Sequence, residues 1–322
     1  MTESVQLTPR YIKEICRQKG LYSTPHLNDK LYLHFKGITK IESLDEYVGL
    51  KVLWLEGNAI TKIENLEKLT ELRALYLHKN CIDKIENLSH LSFLDQLNVS
   101  ENFIDKVEGL DELENLKTLT INDNQIKTTE DLIGLTRCPS LSVVDLSSNK
   151  ILDPEIVEKV FSLMPNLRVL RLEKNPVVNK IPNYRRRLII TCKELTYLDN
   201  MPVFEEERRT AEAWGRGGVE EERKEREKIA QEIREKERRN FEALEDLLRE
   251  ARLKKESRGT DVVDTYHDTF PTELSDSDSD SDDKDISPPV VESDLNHINQ
   301  VEEVSEKEEN LPCSSEVVDE VD

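Results

Sequence analysis

Apolar residues fall at Leu50, Leu53, Leu55, Ile60, Ile63, Leu66 and Leu69, and the same frame restarts at Leu72 and again at Leu94. Written out it is L-x-x-L-x-L-x-x-N-x-I-x-x-I-x-x-L-x-x-L, with units starting at residues 28, 50, 72, 94, 116, 141 and 167. The first four steps are 22 residues long and the last two are 25 and 26. The alternation around Leu53 and Leu55 predicts a short strand, and the spaced leucines and isoleucines after it predict a return path whose apolar side chains fill one slab. Asparagine closes the strand at Asn58, Asn80, Asn102, Asn124, Asn149 and Asn175, with Lys36 in the first, atypical unit. An inward-turned amide can satisfy backbone groups that the bend leaves unpaired.

A unit of this kind cannot bury its apolar side alone, so neighbours must stack. The register is the leucine-rich-repeat signature, and it predicts an α/β solenoid with a curved parallel sheet. The longer units 5 and 6 predict helical convex segments. A stack needs covered ends. Residues 1–27 form the expected N-terminal cap, with Thr8 capping a helix that starts at Pro9 and ends before Gly20. Residues 28–174 are the repeats, and 175–218 form the C-terminal cap, with an irregular helix and a last strand at 195–198. Residues 219–256 hold 13 acidic and 12 basic residues, many three or four apart, which predicts a long charged helix after an interruption at 215–218. Phe241, Leu244, Leu248 and Ala251, with Leu247 alongside, form a stripe that could fold back or dock a partner helix.

Strand alternation places one column of side chains on the concave face: Tyr32, Trp54, Tyr76, Asn98, Thr120, Asp145 and Arg171. The next column on that face begins His34, Glu56 and His78. The three aromatics predict a continuous patch, of the residue types that dominate binding hot spots. Tyr32, Trp54, Tyr76, His34, Glu56, His78, Asn98 and Arg171 are the candidate protein-binding residues, with coverage by the chain itself as the alternative. A metal reading of the two histidines and Glu56 fails on distance, since the imidazoles would lie ~10 Å apart across two strand spacings.

Charge divides the chain. The net charge is −22 over 322 residues, and residues 257–322 hold 21 acidic against 3 basic residues, leaving −4 for the remainder. That tail predicts disorder, and its alternating Ser275, Ser277, Ser279 and Ser281 among aspartates are candidate phosphorylation sites. Five cysteines without CxxC spacing predict free thiols in a reducing compartment, and no run of 18 apolar residues is present to span a bilayer. No GxSxG, GxxxxGK[ST], HExxH or GxGxxG motif occurs, and no basic stripe suits nucleic acid. The expectation is a binding protein, not an enzyme, with no cofactor, membrane, nucleic-acid or small-molecule partner.

Four stretches carry a more specific likeness: "LYLHFKGITKIESLDEYVGLKVLWLEGNAITKIENL" (31–66), "PNLRVLRLEKNPV" (165–177), "IPNYRRRLIITCKELTYLDNMPVF" (181–204) and "AEAWGRGG" (211–218). Over residues 20–256 the chain resembles the dynein axonemal assembly factor 1 family, leucine-rich-repeat proteins of motile cilia. The resemblance implies a non-enzymatic factor for cytoplasmic preassembly of axonemal dynein arms, partnered by dynein subunits and by chaperones or co-assembly factors. It also implies a place in cytoplasm and cilium. Two alternatives stay open. The 22-residue period is shared by a phosphatase regulatory subunit, and acidic tails by nuclear phosphoproteins that bind histones, although those lack the charged helix.

Overall fold

The computed structural model describes residues 5–257. Nine strands form one sheet in chain order: β1 (Lys30–Tyr32), β2 (Val52–Trp54), β3 (Ala74–Tyr76), β4 (Gln96–Asn98), β5 (Thr118–Thr120), β6 (Val143–Asp145), β7 (Val169–Arg171), β8 (Tyr197–Leu198) and β9 (Met201–Pro202). All neighbours are parallel except β8 and β9, which close the sheet as an antiparallel pair. Register follows the repeat, so Leu31, Leu53, Leu75, Leu97 and Leu119 lie side by side, each at most 1% exposed.

The asparagine column holds successive units together. Asn80 donates through Nδ2 to the carbonyls of Leu55 and Leu77, and its Oδ1 accepts the Ile60 N–H, all at 3.0 Å. Asn102, Asn124, Asn149 and Asn175 make the same contacts one unit on. The bend before each asparagine, and before Lys36 in the first unit, uses a left-handed residue, Phe35, Gly57, Lys79, Glu101, Asp123, Ser148 or Lys174. At Gly57 an added Cβ would stand 2.2 Å from the ring of exposed Phe35, which would have to move aside.

Helix α1 (Pro9–Gln18) covers the front of the stack. The Thr8 hydroxyl accepts the Tyr11 N–H at 3.2 Å, Pro9 supplies a pre-set φ, and Ile12, Ile15 and Cys16 are buried against the first slab. The convex segments of units 5 and 6 are helical, as expected, but short and mostly of 3-10 type. Glu130–Arg137 winds as 3-10 turns, and only one α turn, α2 (Ile156–Lys159), forms in unit 6. Three or four added residues are too few for a regular helix, and 3-10 winding covers more length per residue.

At the rear, α3 (Tyr184–Thr191) buries Leu188 and Ile189. Helix α4 (Glu205–Ser257) is broken at Gly217 and Gly218, whose backbones are non-helical. The break reverses the chain. Arg209 on the first limb pairs with Glu225 (2.7 Å) and Glu232 (2.6 Å) on the second, and Arg186 of α3 reaches Glu222 at 2.7 Å. Glu222 is 6% exposed and also bonds Arg226, while Arg186 sits 5.9 Å over the Trp214 ring. Residues 219–232 thus pack on the cap, whereas every residue at 233–254 is exposed. Phe241, Leu244, Leu247 and Leu248 are uncovered, so the stripe does not fold back onto the solenoid. No helix among the described residues is long and apolar enough to cross a membrane.

Candidate partner-binding face

Tyr32, Trp54 and Tyr76 share one register position on three adjacent strands. Strands in a sheet sit ~4.8 Å apart, close to ring-stacking distance, so side chains in one column must meet. They stack: Tyr32 and Trp54 have centroids 4.6 Å apart at 19°, and Trp54 and Tyr76 5.6 Å apart at 13°. Those separations are too short for rings lying side by side in one plane. The planes therefore overlap, closely between Tyr32 and Trp54 and with a larger offset between Trp54 and Tyr76. Each ring is half-buried.

Gln96 finishes the row. Its Oε1 accepts from the Tyr76 hydroxyl at 3.0 Å. Sequence reasoning missed this residue, although its register, opposite Ala74 on the next strand, carries the signal.

The polar column runs beside the rings. His34 Nδ1 lies 3.5 Å from Glu56 Oε1. Glu56 is 9% exposed, and its Oε2 has no hydrogen-bond partner among the described residues. Burial pushes its carboxyl up to about 7, opposed by its own backbone N–H and by the charge of Lys79. His78 Nδ1 likewise lacks a partner, and burial, with Lys79, pushes the ring down to about 4. Near neutral pH the face therefore presents a carboxyl poised between two protonation states beside an uncharged imidazole. Burial also raises the Tyr76 phenol.

Further along the groove the candidates are differently engaged. Asn98 Oδ1 accepts from the Ser100 N–H (3.1 Å) and hydroxyl (2.7 Å), and Arg171 pairs with Asp145 at 3.3 Å. These two turn toward their own neighbours, whereas Tyr32, Trp54, Tyr76, His34, Glu56 and His78 form one contiguous patch. Ser275, Ser277, Ser279 and Ser281 lie outside the described residues.

Two family profiles match: "Leucine-rich repeat" over residues 73–234 and "Leucine Rich repeats (2 copies)" over 48–92. Among solved structures, an internalin from Listeria monocytogenes aligns with TM-score 0.47 and 25% identity, over 59% of this chain and 51% of that one. Among curated proteins, the dynein axonemal assembly factor 1 homolog of Anopheles gambiae is 66% identical over 221 residues, 68% of this chain and 24% of the relative. The homolog of Drosophila melanogaster is 58% identical over 68% of this chain and 15% of the relative. Dynein axonemal assembly factor 1 of Rattus norvegicus is 60% identical over 79% and 40%. The chain thus spans well under half the length of these relatives. It belongs to the leucine-rich-repeat family, and it is homologous to proteins named dynein axonemal assembly factor 1.

Proposed function

We propose that this chain is a non-enzymatic binding solenoid that serves the assembly of axonemal dyneins, capturing its partner on the face built by Tyr32, Trp54 and Tyr76. The observation that carries the dynein role is the 66% identity to a relative of that name over 221 residues. The site rests on the stacked rings, since stiff aromatic surfaces lose little entropy on binding and dominate hot spots. The role extends to cytoplasmic preassembly of dynein arms with chaperones or co-assembly factors, and so to the building of motile cilia.

The test pairs abundance with arm content in ciliated cells. Trp54→Ala and Tyr76→Ala should each weaken capture of dynein-arm subunits by ~2 kcal/mol or more, the hot-spot threshold. Thr120→Ala, on the same face two strands beyond Tyr76, should lose far less. Cells carrying Trp54→Ala should hold the protein at near-normal abundance yet build axonemes short of arms. Normal arms at normal abundance would remove this face from the function.

A further inference from the structure

We propose that Glu56 is the anchor for a basic side chain of the docked partner, and that seating it releases a proton from the Glu56 carboxyl. The inference rests on the concave face being the docking surface. Glu56 is 9% exposed, and Oε2 has no donor among the described residues. Buried carboxylates are ordinarily hydrogen-bonded, and leaving one unpaired is costly. The position is also a useful one: two residues after Trp54, on the same face, beside the stacked rings.

The charged and titratable groups around it do not complete the carboxylate. From the end of β1, His34 places Nδ1 at 3.5 Å from the other oxygen, Oε1. From β3 and the bend after it come Tyr76, His78 and Lys79. The Tyr76 hydroxyl donates to Gln96, burial keeps His78 uncharged at neutral pH, and Lys79 lies 3.8 Å from Glu101. The carboxyl consequently sits near half-protonation at neutral pH.

A lysine or arginine head fits this vacancy better than a neutral donor. A hydrogen bond between two charged groups is roughly twice as strong as a neutral one. The apolar stem of such a side chain can lie along the aromatic row while its head reaches the acid. The part of the chain that carries the face, residues 1–256, has a net charge of only −4, so the attraction for a basic head comes from Glu56 itself rather than from a long-range field. The step balances simply. The neutral carboxylic acid gives its proton to solvent, and the resulting carboxylate accepts hydrogen bonds from the partner's ammonium or guanidinium, which keeps its own proton. Affinity then holds level above pH ~7 and falls about tenfold per unit below it, because each docking event must first expel a proton.

Random dodecapeptides displayed on phage, selected on the full chain at pH ~8 and counter-selected on Trp54→Ala, test this directly. The expected winners carry an arginine or lysine, bind about tenfold weaker per pH unit as pH drops from ~7 to ~5.5, and lose that slope on Glu56→Gln. On the wild-type chain, changing the peptide's basic residue to glutamine should flatten the profile too, a control that needs no protein variant. Winners that depend on Trp54 but lack a basic residue, or keep their slope on Glu56→Gln, would overturn the inference and leave the docking face standing. Failure to recover any peptide that depends on Trp54 would remove both.

Discussion

Glu56 and His78 are neighbours on one face, and burial moves them in opposite directions. Glu56 binds its proton more tightly folded than unfolded, so between pH ~4.5 and 7 it makes the fold less stable as pH rises. His78 binds its proton less tightly when folded. Its contribution is complete above pH ~6.5 and is lost as pH falls toward 4. Over pH ~4.5–6.5 the two slopes oppose each other, and the wild-type melting point should be nearly flat. Glu56→Gln should melt higher than wild type at pH 8 and lose stability on acidification. His78→Gln should show the reverse slope, gaining stability as pH falls from 7. Melting curves of the three proteins across that range check it, and parallel curves would place both groups in contact with solvent. Trp54 makes a different point. Its column predicted a concave-facing ring, and the ring is there. Its stacking was not legible, because a sequence gives register but not the rotation of a ring about its bond. Removing Trp54 opens a gap between two tyrosines, and with aromatic pairs worth ≈ 0.5–1.5 kcal/mol each, a small fall in stability should accompany the loss of binding.

At the scale of elements, the slab and the helical hairpin fail in different ways. Leu97 is 1% exposed and lies between Leu75 and Leu119. Leu97→Arg would bury a charge with no partner, usually a loss of several kcal/mol, and the damage should pass to both flanking units because each unit is held by its neighbours. Circular dichroism should show an early, broadened melt. An unchanged curve would contradict the inward placement. The hairpin depends instead on charge. Arg209→Glu would set a third acid against Glu225 and Glu232, and limited proteolysis should then cut faster near Gly217 and Gly218 while the solenoid melts almost as before. The leucine columns were readable because their period is covalent. The hairpin was not. Glutamates spaced three and four from lysines describe a solvated helix, and Glu222 looks like one of them in sequence. Its 6% exposure follows from Arg186, 36 residues earlier, a partner that only the folded cap brings near. The glycine pair marked an interruption without revealing that the chain turns back there.

For the whole molecule, the buried apolar side chains among the described residues run from Leu7 to Ile229, so a chain ending at residue 257 keeps all of them. Its melting point should stay within the ~2–4 °C that 1 kcal/mol produces in a protein of this size, and a fall of many degrees in scanning calorimetry would show that residues 258–322 support the fold. The sheet has a mechanical corollary. Each of the first seven strands pairs only with the strands of adjacent units, three residues at a time or fewer, and the asparagines bridge just one unit to the next. Pulled from its ends, such a stack has no long-range clasp that must rupture before anything moves. It should peel from a terminus, each 22-residue unit paying out ~75 Å of slack at the extended reach of a chain. Under tension it would act as a shock absorber rather than a strut.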